Sequence, residues 1–371
     1  MKRTDMKLSG VSHTRQKDCV IETITRENSE KAKSLKKMNF SFRNLMHVLV
    51  CVFVVLILIG CDSKPQIGFL MDSLEIERWN KDKELFEQKV IELGGIPLVE
   101  IAESDPDKQL QQAQKLIDEG VDVLVVVPVD LEKAAQIVKL AHKNYVPVIS
   151  YDRLIKNCNL DYYVSTDNIN IGELQANYLT KIAPTGNYAL ISGPTSDYNA
   201  YLLHLGWMNV IQPLIDKGDI TIVVNEFSEY WLPDEAYRIL AKYLKEKDDI
   251  DAIICGNDAL ALGAIAALKE YHKDGRVLLA GQDADIQAVR NIVAGYQTMT
   301  IYKPIESLAY TAADAAIKIS DGKAPSNMNI TVNNGKRLVP AILLQASVVN
   351  RQNIKMTVIQ EGYIQEKDIF N

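Results

Sequence analysis

Polar side chains that could bind a small ligand recur directly after short apolar segments of this sequence. Asp152 and Arg153 follow one such segment, Asn257 a second, Asp283 a third and Lys303 a fourth. Carboxylates accept hydrogen bonds, guanidinium and ammonium groups donate them, and a carboxamide does both. This mixture suits a small ligand that carries several hydroxyl groups.

Four further residues near predicted loops complete the set of candidate ligand contacts. They are Arg78, Trp79, Asn199 and Trp231. A tryptophan ring can cover the apolar C–H face of a sugar, while arginine and asparagine can reach its hydroxyl groups. Together with the first five side chains, they favour a site for a polyhydroxylated ligand.

The same side chains have simpler structural roles, which the sequence leaves open. Trp79 and Trp231 could be core aromatics, and Lys303 could be a solvated residue beside a proline. Asp258 and Asp285, at the predicted starts of two helices, could be helix caps. What favours binding is that the candidates fall at the same edge of two predicted sheets, where open α/β sheets bind their ligands.

Sequence signatures of enzymes and of bound cofactors are absent. The chain has no glycine-rich phosphate loop, no nucleophile elbow and no HExxH pair. After residue 61 its histidines lie far apart, and its two cysteines, Cys158 and Cys255, are expected to be reduced thiols, with a disulfide between them as the alternative. The sequence therefore predicts a protein that is not an enzyme, with no cofactor, metal site or catalytic residue.

The composition is that of an ordinary globular protein, with 47% hydrophobic and 24% charged residues among 371. Lysine and arginine number 41 against 48 aspartates and glutamates, and 11 of the basic residues fall within residues 1–60. The remainder is acidic, which disfavours nucleic acid as a partner because that affinity depends on neutralising phosphates. Residues 61–371 are long enough for two lobes of about 150 residues each.

Short β-branched apolar runs alternate with stretches of helical periodicity from Pro65 onward, which is the pattern of βαβ units with parallel sheets. Two such series follow one another, so the expected fold is α/β, with two doubly wound parallel-sheet lobes. The expected strands are 66–72, 96–102, 121–129, 146–152 and 162–166, then 187–193, 219–227, 251–257, 276–283 and 298–303. Helices are expected to begin near residues 75, 107, 131, 198, 233, 258 and 285. Residues 333–371 are expected to be loop-rich, with one apolar run at 339–344.

The N-terminal segment has the pattern of a targeting signal. Residues 48–60 form an uncharged apolar run that follows basic residues and is shorter than the roughly 20 residues of a membrane span. Its end, Leu58-Ile59-Gly60-Cys61, resembles the lipobox of bacterial lipoproteins, which implies cleavage before Cys61 and a lipid on its sulfur. We assign 38–60 to the signal peptide, 61–64 to a lipidated linker and 1–37 to a doubtful extension, with Met38 as the expected start. An uncleaved membrane anchor and a genuine cytoplasmic tail are the alternatives.

Several segments of the chain together resemble the D-xylose-binding proteins of bacterial ABC importers, a branch of the type I periplasmic-binding family. The resemblance runs in order over nearly all of residues 65–371 and rests on IGFLMDSLEIERWNKD, ISYDRLI, STDNINIGELQA, SEYWLPDEA, CGNDALALGAI, AGQDAD and GYQTMTIYKPI. It implies two lobes, joined by a three-strand hinge, that close over one monosaccharide. The N-terminal lobe would hold residues 65–168 and 303–345, and the C-terminal lobe residues 169–302 and 346–371.

The resemblance also implies which residues hold the sugar. The hydrogen-bonding groups would belong to Arg78, Asp152, Arg153, Asn199, Asn257, Asp283 and Lys303, with aromatic cover from Trp79 and Trp231. His204 stands near a position where the family has an arginine. In the site, a neutral histidine would offer one hydrogen-bond donor where arginine offers five. The alternative is that His204 lies on a helix face outside the site.

The function that the resemblance implies is that of a lipid-anchored solute-binding protein outside the cytoplasm. It would capture D-xylose by lobe closure and deliver it to the permease of an ABC importer. The expected partners are the monosaccharide, the permease and the membrane through Cys61, and the expected state is a monomer. The alternative is a sugar-sensing component that presents the bound monosaccharide to a membrane sensor kinase or chemoreceptor.

Overall fold

The computed structural model divides the chain into two units, Met1–Ser63 and Lys64–Asn371. It describes residues 64–370 except Asn329, and in the first unit only short helical stretches within residues 26–47. The expected signal-peptide core at 48–60 and the lipid attachment residue Cys61 lie outside the described residues. Among the helices that are described, none is long and apolar enough to cross a membrane.

The described residues of the second unit form thirteen strands in two sheets. The first sheet holds β1 (Gln66–Met71), β2 (Ile96–Ile101), β3 (Val123–Val126), β4 (Val148–Tyr151), β5 (Tyr162–Thr166), β11 (Ile330–Asn333) and β12 (Leu338–Leu344), in the order β11-β12-β5-β4-β3-β1-β2. The second sheet holds β6 (Gly186–Ser192), β7 (Ile220–Phe227), β8 (Ala252–Cys255), β9 (Leu278–Ala280), β10 (Met299–Tyr302) and β13 (Ser347–Asn350), in the order β13-β10-β9-β8-β6-β7.

Helices cover both faces of each sheet. The first lobe consists of the first sheet with α1 (Glu77–Glu92), α2 (Pro106–Asp118), α3 (Ala135–Lys143) and α9 (Ile305–Ser320). The second lobe consists of the second sheet with α4 (Asn168–Ile182), α5 (Tyr198–Asp216), α6 (Pro233–Leu244), α7 (Asp258–Glu270), α8 (Ile286–Ala294) and α10 (Glu366–Ile369). A single 3-10 turn, Ile354–Met356, precedes α10.

Alternation along the strands explains why each sheet is buried on both faces. In β1, Ile67, Phe69 and Met71 pack toward α1 and α9, whereas Leu70 packs toward α2 and α3. A parallel sheet covered on both faces needs apolar residues at nearly every position, which is the composition of these strands. The two free cysteines, Cys158 and Cys255, are buried in the cores of different lobes.

The chain passes between the two sheets three times. It leaves the first sheet at Asp167, returns to it after Lys303, and leaves it again between Leu344 and Ser347. The predicted fold class, two α/β lobes joined by a three-strand hinge, is confirmed. The sheets are mixed rather than wholly parallel, because β11 pairs with β12 and β13 pairs with β10 in antiparallel fashion.

The sequence prediction misses α4, α9, α10, β11 and β13. Helix α4 begins at Asn168, two residues after β5 ends, so no loop marks its start. Asp167 caps it by accepting a hydrogen bond from the amide of Asn170. Helix α9 buries a face made largely of alanines, which gives a weak hydrophobic period. The stretch 333–371, which the sequence predicts to be loop-rich, contains β12, β13 and α10 and is therefore more regular than expected.

The predicted capping role of Asp258 is wrong. Asn257 caps α7, since its side chain accepts a hydrogen bond from the amide of Leu260. The Asp258 carboxylate instead accepts from the Thr300 hydroxyl at 2.8 Å and the Gln297 amide at 2.8 Å. Asp285 occupies the N-cap position of α8 without a side-chain capping hydrogen bond.

Two glycines allow α4 and α5 to pack closely beneath the second sheet. A Cβ atom on Gly172 would lie 2.2 Å from the carbonyl oxygen of Leu203, and one on Gly206 would lie 2.2 Å from that of Ile169. Backbone atoms cannot move aside as a flexible side chain can. The close approach of these helices therefore depends on glycine at both positions.

Replacing Gly206 with alanine should lower the free energy of unfolding by about 1–3 kcal/mol, because overpacking outweighs the higher helix propensity of alanine. Urea unfolding followed by circular dichroism measures the change. Gln212→Ala, at an exposed position of the same helix, is the matched control and should stay within about 0.5 kcal/mol of the wild type. Equal stability of Gly206→Ala and the wild type would contradict the packing argument.

Candidate functional site

A small cavity lies between the two lobes, at the carboxyl ends of their strands. All nine residues that the sequence nominates as binding residues line it, together with three that it does not nominate. The lining comprises Ile76, Arg78, Trp79, Asp152, Arg153, Asp197, Asn199, Trp231, Asn257, Gln282, Asp283 and Lys303.

The ends of the strands bring these side chains together. Asp152 follows β4, Asn257 lies two residues after β8, Asp283 three residues after β9, and Lys303 follows β10. Residues from seven loops thereby meet in one place although they are far apart in sequence. This is the position at which open α/β sheets bind ligands.

Arg78 lies at the centre of an ion-pair network that spans both lobes. Its guanidinium Nη2 is 3.0 Å from Asp152 Oδ2 in the same lobe, and its Nη1 is 3.5 Å from Asp283 Oδ1 in the other. Lys303, at the second passage between the lobes, lies 2.9 Å from the same Asp283 oxygen and 3.8 Å from Asp152 Oδ2. All four side chains are almost fully buried.

A second network closes the cavity along another side. Arg153 Nη1 is 2.6 Å from Asp72 Oδ2 within the first lobe, and its Nε is 2.8 Å from Asp197 Oδ2 in the second. Asp197 Oδ2 also accepts a hydrogen bond from Trp231 Nε1 at 3.1 Å. Asn199 Nδ2 donates to Asp152 Oδ1 across the lobes at 3.0 Å. The two walls of the cavity are thus joined by direct protein contacts.

The charges of the network determine the protonation state of each buried group. Burial alone would raise the pKa of Asp152, but the positive charges of Arg78, Lys303 and Arg153 lower it to about 2. Burial alone would lower the pKa of Arg78, but the carboxylates of Asp152, Asp82 and Asp283 raise it well above its ordinary value. Asp152 is therefore a permanent acceptor and Arg78 a permanent donor at physiological pH.

The two tryptophans occupy different settings. Trp79 is 3% exposed, and the Arg78 guanidinium lies 4.3 Å from the centre of its ring. The Trp231 ring lies against the glycines that follow β6 and β8: a Cβ atom on Gly193 would be 2.1 Å from it, and one on Gly256 2.7 Å. These glycines leave room for an indole at the cavity wall.

Two buried polar atoms of the lining residues have neither a hydrogen-bond partner nor an ion-pair partner within the described part of the chain. They are Trp79 Nε1, a donor, and Gln282 Oε1, an acceptor. A buried polar atom without a partner costs free energy, so such atoms are rare unless a ligand or water satisfies them. Both atoms therefore favour a polar ligand in this region.

Three functional residues escape the sequence analysis. Asp82 is fully buried, accepts from Arg78 Nε at 3.1 Å and is bonded by the Tyr151 hydroxyl, so it orients Arg78 from behind. Its spacing of four residues from Arg78 on a helix is a signal that could have identified it. Asp197 precedes α5, and Gln282 lies beside Asp283 in the GQDAD segment.

The structure places His204 outside the residues that line the cavity. Five residues along α5 rotate a side chain by about 140° relative to Asn199, so the two point in different directions. The His204 imidazole Nδ1 instead lies 3.2 Å from the Ser192 hydroxyl, and its ring packs near Trp207 and Phe227. Burial lowers the pKa of His204.

The arrangement can bind and enclose a ligand. Three cationic and three anionic side chains line the cavity and are paired with one another, which leaves no single group poised as a nucleophile. Among the described residues, no group of three or more histidine, cysteine, aspartate or glutamate side chains could hold a metal ion.

Comparisons with known proteins agree with this geometry. The sequence profile of the family described as "Periplasmic binding protein domain" matches residues 67–324. The chain is 40% identical over 329 residues to the D-xylose-binding periplasmic protein of Escherichia coli strain K12, covering 88% of this chain and 99% of that protein. It is also 40% identical over 307 residues to the protein of the same name from Haemophilus influenzae, covering 82% of this chain and 92% of the relative.

Solved structures with the same fold include a solute-binding protein of an ABC transporter from Clostridium phytofermentans with bound β-D-glucose. It superimposes with a TM-score of 0.78 at 27% identity and covers 82% of this chain and 99% of its own. These relatives are binding proteins, which confirms the prediction that the chain is not an enzyme. Given the matched profile and the identity over most of its length, the chain belongs to the family of sugar-binding periplasmic proteins of ABC importers.

Proposed function

We propose that this protein is a lipid-anchored solute-binding protein that captures D-xylose between its two lobes and delivers it to an ABC permease. The observation that carries the proposal is the buried network of Arg78, Asp152, Asp283 and Lys303, which lines one small cavity from both lobes. Arginine, lysine and carboxylate groups arranged in this way offer donors and acceptors to neighbouring hydroxyls.

The charge balance of the lining supports a neutral ligand. Arg78, Arg153 and Lys303 are matched by Asp152, Asp197 and Asp283, so the cavity presents no excess of either sign. A phosphate or carboxylate ligand would need unpaired cations, and an amine would need unpaired carboxylates. A neutral sugar can exchange hydrogen bonds with both kinds of group.

The names of the relatives narrow the choice of sugar. The two proteins at 40% identity are both described as D-xylose-binding. A pentose also suits a small cavity better than a hexose does, because a hexose carries an additional exocyclic carbon and hydroxyl. Glucose is the ligand in a solved structure of 27% identity, so it is the competitor against which specificity has to be measured.

Binding is proposed to occur by lobe closure. Contacts from Arg78 and Asp152 on one side and from Asn257 and Asp283 on the other reach the same cavity only when the lobes are together. A sugar that bonds to both lobes binds the closed state more tightly than the open one and shifts the equilibrium toward it by that difference. The three passages of the chain between the sheets would be the hinge.

Family membership implies a location outside the cytoplasm. The lipobox-like segment ending at Cys61 supports attachment to the membrane, which would keep a monomeric binding protein near its permease. The proposed test of delivery is stimulation of the ATPase of the co-reconstituted importer by sugar-loaded protein. A response from a co-reconstituted sensor kinase instead would favour the sensing role.

A fluorescence titration of residues 62–371 tests the ligand. D-xylose should bind with one-to-one saturation, reported by Trp79 and Trp231 in the cavity lining. It should bind more tightly than glucose and galactose, which carry an additional exocyclic carbon, and more tightly than ribose and arabinose, because the two relatives at 40% identity are described as D-xylose-binding. Asp283→Ala should weaken binding at least 30-fold, since it leaves Arg78 and Lys303 short of a buried partner. Asp105→Ala, which removes an exposed helix-capping aspartate, is the control and should bind as the wild type does. Absence of binding by every sugar would eliminate the proposal.

Asp197→Asn should accelerate sugar release by about tenfold or more while leaving the association rate within a factor of about three. Asparagine keeps one side-chain oxygen, which can accept from the Asn199 amide or from Trp231 Nε1 but not from both, and it loses the charge that pairs with Arg153 across the lobes. Stopped-flow tryptophan fluorescence measures both rates, and Asp105→Asn is the matched control. An unchanged release rate would show that this ion pair does not hold the lobes closed.

Cys61→Ser should release the protein from the membrane. Expressed in a bacterial host, the full chain is expected in the membrane fraction with the added mass of a lipid, whereas the variant should lack that mass. Mass spectrometry of the N-terminal peptide checks the attachment. Cys158→Ser is the control, because Cys158 is buried in the first lobe and should not affect partitioning. A wild-type chain without lipid would reject the anchor and leave sugar binding untouched.

A further inference from the structure

The two aspartates that line the cavity from opposite lobes share an unusual backbone conformation. Asp152 has φ of 61° and Asp283 has φ of 103°. A positive φ is uncommon for a residue other than glycine, and it persists at functional sites where the surroundings hold it in place. In both cases it turns the carboxylate of a strand-end residue back toward the cavity, where each contacts Arg78.

Both aspartates are held by the same two kinds of hydrogen bond. The Asp152 amide donates to the Val164 carbonyl at 2.8 Å, and the Asp283 amide donates to the Ile301 carbonyl at 2.7 Å, each on the neighbouring strand of its sheet. On the other side, each aspartate carbonyl accepts a hydrogen bond from a tyrosine hydroxyl. Tyr163 lies 2.9 Å from the Asp152 oxygen and Tyr363 lies 3.3 Å from the Asp283 oxygen.

The two aspartate carbonyls differ in how many other side chains donate hydrogen bonds to them. The Asp152 carbonyl also accepts from the Ser165 hydroxyl at 2.6 Å and from Asn199 Nδ2 at 3.2 Å. At the Asp283 carbonyl, the side-chain donor found among the described residues is Tyr363. Loss of the Tyr363 hydroxyl should therefore loosen the backbone of Asp283 more than loss of the Tyr163 hydroxyl loosens that of Asp152.

Tyr363 is also placed where the two lobes meet. Its ring packs against the core of the first lobe and against the smaller core formed by α8 and the C-terminal segment. The ring centre is 4.9 Å from that of Tyr302, the residue before Lys303. Burial raises the pKa of the Tyr363 phenol well above its ordinary value, so the hydroxyl remains a donor at physiological pH.

We infer that Tyr363 is a positioning residue for sugar binding, which fixes the backbone of Asp283 and so aims its carboxylate at the ligand. Tyr163 has the same role for Asp152, with Ser165 and Asn199 as additional supports. The inference rests on the proposed function, since it assigns Tyr363 an effect on affinity that acts through Asp283. The C-terminal segment thereby belongs to the binding site although it does not line the cavity.

The experiment measures D-xylose affinity and thermal stability for a set of tyrosine variants. Tyr363→Phe should weaken binding about tenfold, the size expected when one buried hydrogen bond is lost, and Tyr163→Phe should weaken it less. Tyr188→Phe is the matched control: its buried hydroxyl donates to the Ala183 carbonyl at 2.7 Å in the second lobe, away from the cavity. It should lose stability comparable to Tyr363→Phe and keep the wild-type affinity.

A double-mutant cycle with Asp283→Asn separates positioning from general stability. If Tyr363 acts through the Asp283 carboxylate, Tyr363→Phe should change affinity by less than twofold in the Asp283→Asn background, at sugar concentrations high enough to measure both. A tenfold effect in both backgrounds, an unchanged affinity of Tyr363→Phe in the wild type, or equal weakening by Tyr188→Phe would each overturn the inference. If the wild type bound no sugar at all, the proposed function would fail first, and that outcome is distinguishable from all three.

Discussion

The structure depends on one buried cation, the guanidinium of Arg78, and on the carboxylates that surround it. Burying a charge is costly unless opposite charges and hydrogen bonds compensate for lost hydration. Asp82 and Asp152 supply this compensation from the same lobe, and Asp283 supplies it from the other. Because one of the three partners belongs to the opposite lobe, the compensation is complete only when the lobes are together. In the proposed mechanism, electrostatics therefore links lobe closure to the enclosure of the ligand.

The α/β architecture brings the charged side chains of both lobes together with few elements beyond its regular strands and helices. Strand ends deliver the charged side chains, and helices behind them orient the same groups, as α1 does by carrying both Arg78 and Asp82. Glycines at the ends of β6 and β8 admit the Trp231 ring, while positive φ angles turn Asp152 and Asp283 back toward the cavity. The site thus combines rigid scaffold positions with a few locally unusual backbone conformations.

Much of this site could be anticipated from sequence, because strand-end position is a local property. The alternation of apolar runs located Asp152, Asn257, Asp283 and Lys303 within three residues of strand ends. What could not be anticipated is the pairing between distant segments. Arg78 and Asp283 are 205 residues apart, and no local pattern states that they meet. Asp197 and Tyr363 escaped for the same reason: their roles consist of contacts with another part of the fold.

The direct contacts between the lobes also constrain how tightly a sugar can bind. Arg153–Asp197 and Arg78–Asp283 are direct contacts between protein groups of the two lobes, so part of the free energy of closure comes from the protein itself. If these pairs were too favourable, the closed state would dominate without sugar and a partner could not distinguish loaded from empty protein. Separation returns the charged groups to water, which offsets much of the gain from pairing. Hydrogen bonds from the sugar to both lobes are then left to decide the equilibrium, which is what a solute-binding protein requires.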